Sequence, residues 1–200
     1  MLEKTRFGMK WLVLGSLTSL ASAGVVLAEP VRYEMDPDHT YPSFEGDHMG
    51  GLSVWRGKFN TSEGYVVMDR KAETGRLEVT VDLGSVDFGH PEMNEHAVGA
   101  DFFDVRKYPR AVYRGELRGF SDGVPSEVAG ELTLHGVTQP LDLTLNTFKC
   151  MPLPMLKREV CGADAIGTFD RSEFGLDVGK DYGFDMEVRL QIQVEAIAAQ

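Results

Sequence analysis

Cysteine is scarce in this chain: its 200 residues contain two, Cys150 and Cys161. They stand too far apart for a CxxC redox or metal motif. Basic residues are also in short supply, with 20 Lys and Arg against 31 Asp and Glu and a net charge of −11. Such a surface repels nucleic-acid phosphates and anionic lipid headgroups. Signature motifs are missing. There is no GxSxG elbow, HExxH helix, P-loop or GxGxxG turn after a strand, so no cofactor is expected. No repeat, linker or low-complexity tract breaks the chain. Beyond the N-terminus, no run is long and apolar enough to span a bilayer.

What is present begins with an address. Lys4, Arg6 and Lys10 precede an apolar stretch from Trp11 to Leu27, and Val26-Leu27-Ala28 offers small side chains before Glu29-Pro30. This order of basic, apolar and small-residue regions is that of a secretory signal. Gly15, Ser16, Thr18, Ser19 and Ser22 make the stretch a poor spanning helix. Residues 1–28 therefore read as a cleaved signal peptide and 29–200 as one extracytoplasmic, periplasmic domain. The signal carries three of the basic residues and one acidic residue. The remainder has 17 basic against 30 acidic residues, a net charge of −13. In an oxidising compartment the even cysteine pair reads as a disulfide, with a metal-binding or redox pair as the alternatives.

Strand periodicity dominates the mature part. Leu77, Val79, Val81 and Leu83 alternate with polar residues, as do Leu141, Leu143 and Leu145. Val188, Leu190, Ile192, Val194 and Ala196 form a third inward row, and Val128, Gly130, Leu132 and Leu134 a fourth. Weaker runs lie at 31–35, 43–48, 54–59, 65–69 and 111–117. His135-Gly136-Val137-Thr138 is a hairpin turn, and Asp122-Gly123 marks another. One apolar face per strand, repeated eight or more times, predicts a closed antiparallel sheet without exposed edges. Only residues 91–103 look helical, with Pro91 in the first turn and Met93, Ala97 and Ala100 at helical spacing.

The candidate chemistry is sparse. His90 and His96 flank Glu92 and Glu95, but their spacing suits no zinc helix. His39 follows an Asp-Pro-Asp turn. His48 shares strand parity with Phe44, so both could face inward. For His48 and for Arg171, the choice lies between a partner for a neighbouring acid and a contact to an anionic ligand headgroup.

Several pieces together resemble one family. They are Tyr33-Glu34-Met35-Asp36-Pro37-Asp38-His39-Thr40 with Phe44 and His48; Gly57-Lys58-Phe59; Gly64 to Asp69; and Asp82-Leu83-Gly84-Ser85-Val86. Further on stand Asp101-Phe102-Phe103-Asp104-Val105 with Tyr108-Pro109, then Gly130 to Thr138, then Arg171-Ser172-Glu173-Phe174-Gly175. In order and spacing the chain is similar to the YceI-like family, the polyisoprenoid-binding, lipocalin-like proteins of bacteria. The cysteine pair, with Pro152 and Pro154 between, resembles a disulfide-bearing branch. The resemblance implies an all-β fold, an eight-stranded antiparallel lipocalin-like barrel with one or two short helices. It implies an apolar cavity holding a polyisoprenoid, an isoprenoid quinone or another long-chain lipid. Phe44, His48, Phe59, Phe102, Phe103, Arg171 and Phe174 are its candidate ligand-binding residues. Smaller residues at Pro42, Gly46 and Val98 depart from the family pattern and would widen or reshape that cavity. The expected role is non-catalytic binding or carriage. The alternatives are an extracytoplasmic hydrolase or oxidoreductase with a cryptic His and acid site, and an interaction module whose side chains fill the barrel. No nucleic acid partner is expected. Transient membrane contact and a homodimer remain open.

Overall fold

The computed structural model describes Met1 and residues 29–200. The expected signal peptide lies outside the described residues. Twelve strands make up most of the domain: β1 Val31–Met35, β2 Tyr41–His48, β3 Ser53–Phe59, β4 Ser62–Asp69, β5 Thr74–Asp82, β6 Val86–Asp87, β7 Arg110–Arg118, β8 Glu127–Leu134, β9 Val137–Pro140, β10 Leu143–Leu153, β11 Arg158–Asp170 and β12 Glu187–Ala198. The helix α1 spans Pro91–Val98. Eight strands close a ring in the order β1, β4, β5, β7, β8, β10, β11, β12 and back to β1, every pair antiparallel. Closure pairs strand edges that would otherwise template aggregation.

The longest strands organise the rest. β12 pairs with β11 from Glu187 to Ile197, and its other edge is shared. Its first half pairs with β2 through Val188↔Gly46 to Gln193↔Tyr41, and its end pairs with β1 at Tyr33↔Ala198. Residues 36–40 form the break between β1 and β2. The Asp36 amide donates to the Glu195 carbonyl at 2.9 Å, and the Glu195 amide donates to Thr40 Oγ1 at 3.2 Å. The interruption therefore leaves no β12 peptide group of Glu195 unpaired, as a buried backbone requires. β2 continues into β3 and β6, which extend the barrel wall upward on one side.

Turn chemistry sets the registers. His135 and Gly136 both take positive φ, 52° and 79°, the geometry of a two-residue hairpin turn matched to strand twist. That turn joins β8 to β9. At the lower end the turns are short: 70–73 links β4 to β5, and 154–157 links β10 to β11. The long connections, 88–109 and 171–186, both lie at the other end.

The helix is shorter than the sequence pattern predicts. It stops at Val98 because Gly99 leaves the helical region at φ −66°, ψ 169° and its amide closes on the His96 carbonyl. Residues 101–103 follow as turns, with the Phe103 amide donating to the Ala97 carbonyl at 3.0 Å. This fold-back packs the Phe102 and Phe103 rings edge to face at 5.0 Å.

Cys150 and Cys161 are joined by a disulfide. They are directly opposite in the β10–β11 ladder, so the crosslink fastens a hairpin whose register is already set. Glu159 stands close enough to both sulfurs for a metal set. The bond consumes the thiolates that a metal would need.

Candidate functional site

All four predicted apolar rows point into the barrel, and they do not fill it. They line a cavity of about 510 Å³, within the size range of small-molecule sites. β12 contributes Val188, Leu190, Ile192, Val194 and Ala196; β5 contributes Leu77, Val79 and Val81. Many inward residues, such as Phe44, Phe59 and Ile192, are only partly buried because they face this space rather than other side chains. At Gly130 the row is interrupted by Tyr113, whose hydroxyl would sit 2.5 Å from a Cβ there.

The polar groups that border the cavity are satisfied from behind. Tyr33 donates its hydroxyl to Glu159 at 2.6 Å, and Arg70 Nη2 donates to both oxygens of the same carboxylate at 3.0 and 2.9 Å. Burial first, and then the Glu159 carboxylate, push the Tyr33 phenol up to about 12. The Tyr113 hydroxyl donates to the Leu141 carbonyl at 2.9 Å, and burial raises its pKa further. Arg171 donates to the carbonyls of Leu176 and Val178 at 2.6 and 2.8 Å. Its desolvation lowers the guanidinium pKa from the ordinary value. Nothing along the shaft calls for a polar ligand.

The cavity opens at the end with the long connections. Of its lining residues only His96, on α1, and Val178, on the β11–β12 connection, are exposed. Around this mouth stand His48, Trp55, Phe88, Met93, Phe102 and Phe184. The His48 ring stacks on Trp55 at 4.5 Å and meets Phe184 edge to face at 5.1 Å. Among the described residues, no carboxylate hydrogen-bonds to His48 or His96. His48 Nδ1 lies 3.5 Å from the Ser53 hydroxyl, at the outer limit of a hydrogen bond.

A family model described as the YceI-like domain matches residues 33–196. The chain belongs to the YceI-like family. A UPF0312 protein of Pectobacterium carotovorum is 32% identical over 201 residues, covering 98% of each chain. The crystal structure of BcnA from Burkholderia cenocepacia superposes with a TM-score of 0.66 at 22% identity, covering 81% of this chain and 99% of that one. A polyisoprenoid binding domain from Saccharophagus degradans, implicated in plant cell wall breakdown, gives 0.58 at 17% identity, covering 84% and 98%. At these identities the two structures share the fold with this chain.

Within this YceI-like barrel, six of the seven residues singled out from the sequence border the cavity: Phe44, His48, Phe59, Phe102, Phe103 and Arg171. Phe44 sits centrally, 5.4 Å from Phe59 and 5.5 Å from Phe88. Phe174 is the exception. It is 1% exposed, packs edge to face on Phe169 at 5.3 Å and is part of the core beneath the mouth. The one-turn helix 171–174 ends at Gly175 with φ 75°, and that turn carries the ring inward to the core. His39 lies outside the cavity, exposed and 2.9 Å from Asp36. His90 pairs with Glu92 at the surface.

The YceI-like site also includes residues the sequence reading passed over. Trp55 was legible, because it shares strand parity with Phe59 on β3. Gly57 between them is needed there: a Cβ would lie 2.6 Å from the Phe44 ring. Phe88, Met93 and Phe184 come from the long connections, where no period marks the inward face. Pro42 and Gly46 both line the cavity, and a Cβ on Gly46 would meet nothing within 4 Å, so the small residue there does enlarge the space.

Proposed function

We propose that this protein binds and carries a long, largely apolar molecule of the isoprenoid type, without catalysing its conversion. The observation that carries the reading is the barrel cavity, apolar over nearly its whole lining. A chain inside it gains about 0.8 kcal/mol for each methylene removed from water. The polyisoprenoid-binding domain with the same fold supports the choice of ligand class. A polyprenol, an isoprenoid quinone and a similar amphiphile all suit the shaft, with the polar end at His48 and His96.

A carrier role outside the cytoplasm accords with the signal-like order of residues 1–28. Catalysis has little support at the mouth. General acid–base chemistry needs a titratable group held by a partner within hydrogen-bond reach of the reacting atom, and neither mouth imidazole has a carboxylate partner. Among the described residues no helix is long and apolar enough to cross a membrane.

Organic extraction of protein purified from an extracytoplasmic fraction, followed by mass spectrometry, tests the proposal. An isoprenoid or comparable long-chain lipid in stoichiometric amount is expected. An extract empty of such molecules, together with a protein that takes up no polyprenol or quinone when offered them, would sink it. N-terminal sequencing of the same sample should begin at Glu29.

A further inference from the structure

The outer side of the mouth carries exposed apolar side chains. Met49 is 53% exposed, Leu52 73% and Val54 50%, all at the tip of the β2–β3 hairpin, and Tyr182 on the β11–β12 connection is 80% exposed. Turn tips are ordinarily polar, and isolated exposed apolar residues are unremarkable. Here they are grouped. The two segments that carry them are fastened together: Asp47 accepts from the amides of Gly50, Gly51 and Asp185 at 2.9, 2.6 and 2.9 Å. Gly50 also lies so close that a Cβ on it would stand 3.1 Å from the Gly183 carbonyl oxygen.

The same two segments border the cavity opening. Val178, on the connection that carries Tyr182, lines the space and is 36% exposed, and His48 and Trp55, on the strands that carry the hairpin tip, line it from the other segment. The exposed apolar residues therefore sit on the segments that frame the mouth. We infer that the collar of Met49, Leu52, Val54 and Tyr182 docks on a lipid bilayer whose headgroups carry no net charge, and that ligand passes between bilayer and cavity there. The inference rests on the apolar-ligand reading above.

Two features favour a bilayer over a second copy of the chain. Apolar side chains with a tyrosine at their edge suit the headgroup boundary, where one end of the ring is dry and the other wet. The charges on the two segments that carry the collar, 45–56 and 177–189, are mostly acidic: Glu45, Asp47, Asp177, Asp181, Asp185 and Glu187 against Arg56, Lys180 and Arg189. A symmetric dimer would set this acidic patch against itself. The same charges select against anionic lipid.

Flotation with vesicles tests the inference. Purified protein should float with phosphatidylcholine vesicles and less with vesicles containing phosphatidylglycerol. Joint Leu52→Glu and Tyr182→Glu substitution should cut the floated fraction by about tenfold or more, and slow transfer of a polyprenol from vesicles to the protein, while the variant keeps the melting temperature of the unaltered protein. Met155→Glu, at the opposite end, should float like the unaltered protein. Three results would overturn the inference: unaltered protein that stays behind with both vesicle types, a collar variant that floats undiminished, or equal loss with Met155→Glu. Loss of a dimer on substituting the collar, without vesicle binding by the unaltered protein, would assign the patch to self-association instead. Ligand extraction from the unaltered protein reads the carrier proposal separately.

Discussion

The two ends of this barrel solve different problems with the same strands. At the lower end, turns are short and polar groups are paired: Arg70, Glu159 and Tyr33 tie the β4–β5 turn, β11 and β1 together, and the disulfide crosslinks β10 to β11. At the upper end, the two long connections lay aromatic side chains over the opening, and two lining residues reach solvent. The lower end is held by a charged hydrogen-bond cluster and a crosslink. The upper end is held by directed hydrogen bonds to its long connections, among them those of Asp47, Asp87 and Arg171. A barrel that takes up a long ligand needs one end of each kind, since local opening occurs where buried apolar contacts are fewest.

The sharpest way to break that comparison is with two phenylalanines near the mouth. Phe174 is packed core, and Phe174→Ala should cost about 3–5 kcal/mol of stability in a denaturant titration. Phe44 borders open cavity, so Phe44→Ala should cost clearly less stability and more retained lipid per folded molecule. Equal losses of stability with unchanged lipid content would show that Phe44 is core as well.

Arg171→Ala comes next. Both of its hydrogen bonds hold the 176–178 backbone at the mouth, and hydrogen bonds from a charged group contribute about 1.5–3 kcal/mol. A loss of roughly 2–3 kcal/mol is expected, with affinity for a polyprenol and its phosphate falling together. A selective loss of the phosphorylated ligand would instead make Arg171 a headgroup residue.

Opening the lower end should be milder. Cys150→Ser is expected to cost no more than about 2–3 kcal/mol, because the closed loop is short. Lipid content should not change. Thiol titration of denatured, unreduced protein should find no free thiol.

The smallest effect is acid loosening of the mouth. The amide of Asp185, followed by those of Gly51 and Gly50, holds the Asp47 carboxyl below its ordinary value of 3.8. A carboxyl lowered in the folded state stabilises fully above its unfolded value, and that contribution is lost as pH falls through the folded one. Protection of the Gly51 and Asp185 amides from hydrogen exchange, relative to their intrinsic rates, should therefore fall only below pH 3.8. Asp47→Asn should remove that change. Protection at Leu156 and Lys157, whose amides donate to backbone carbonyls, should be unaffected.

Composition and alternation alone determined a great deal about this protein. The rows at 77–83, 128–134, 141–145 and 188–196 announced an all-β barrel, because a strand's side-chain period is two and one face must be dry. The inward side of β2 was legible in the same way, from Phe44 to His48. The signal-like N-terminus and the acidic balance were legible too. Three matters lay beyond that reading. Whether the apolar rows meet or leave a cavity depends on the spacing of opposite walls and on small residues such as Gly46, which periodicity does not measure. Phe174 was misplaced and Phe184 missed because both lie in an aperiodic connection, where backbone turns at Gly175, Gly179 and Gly183 aim each ring. The backbone partners of Arg171 and Asp47 come close only after the barrel closes. Long-range pairing decides such contacts, and a local pattern carries no information about it.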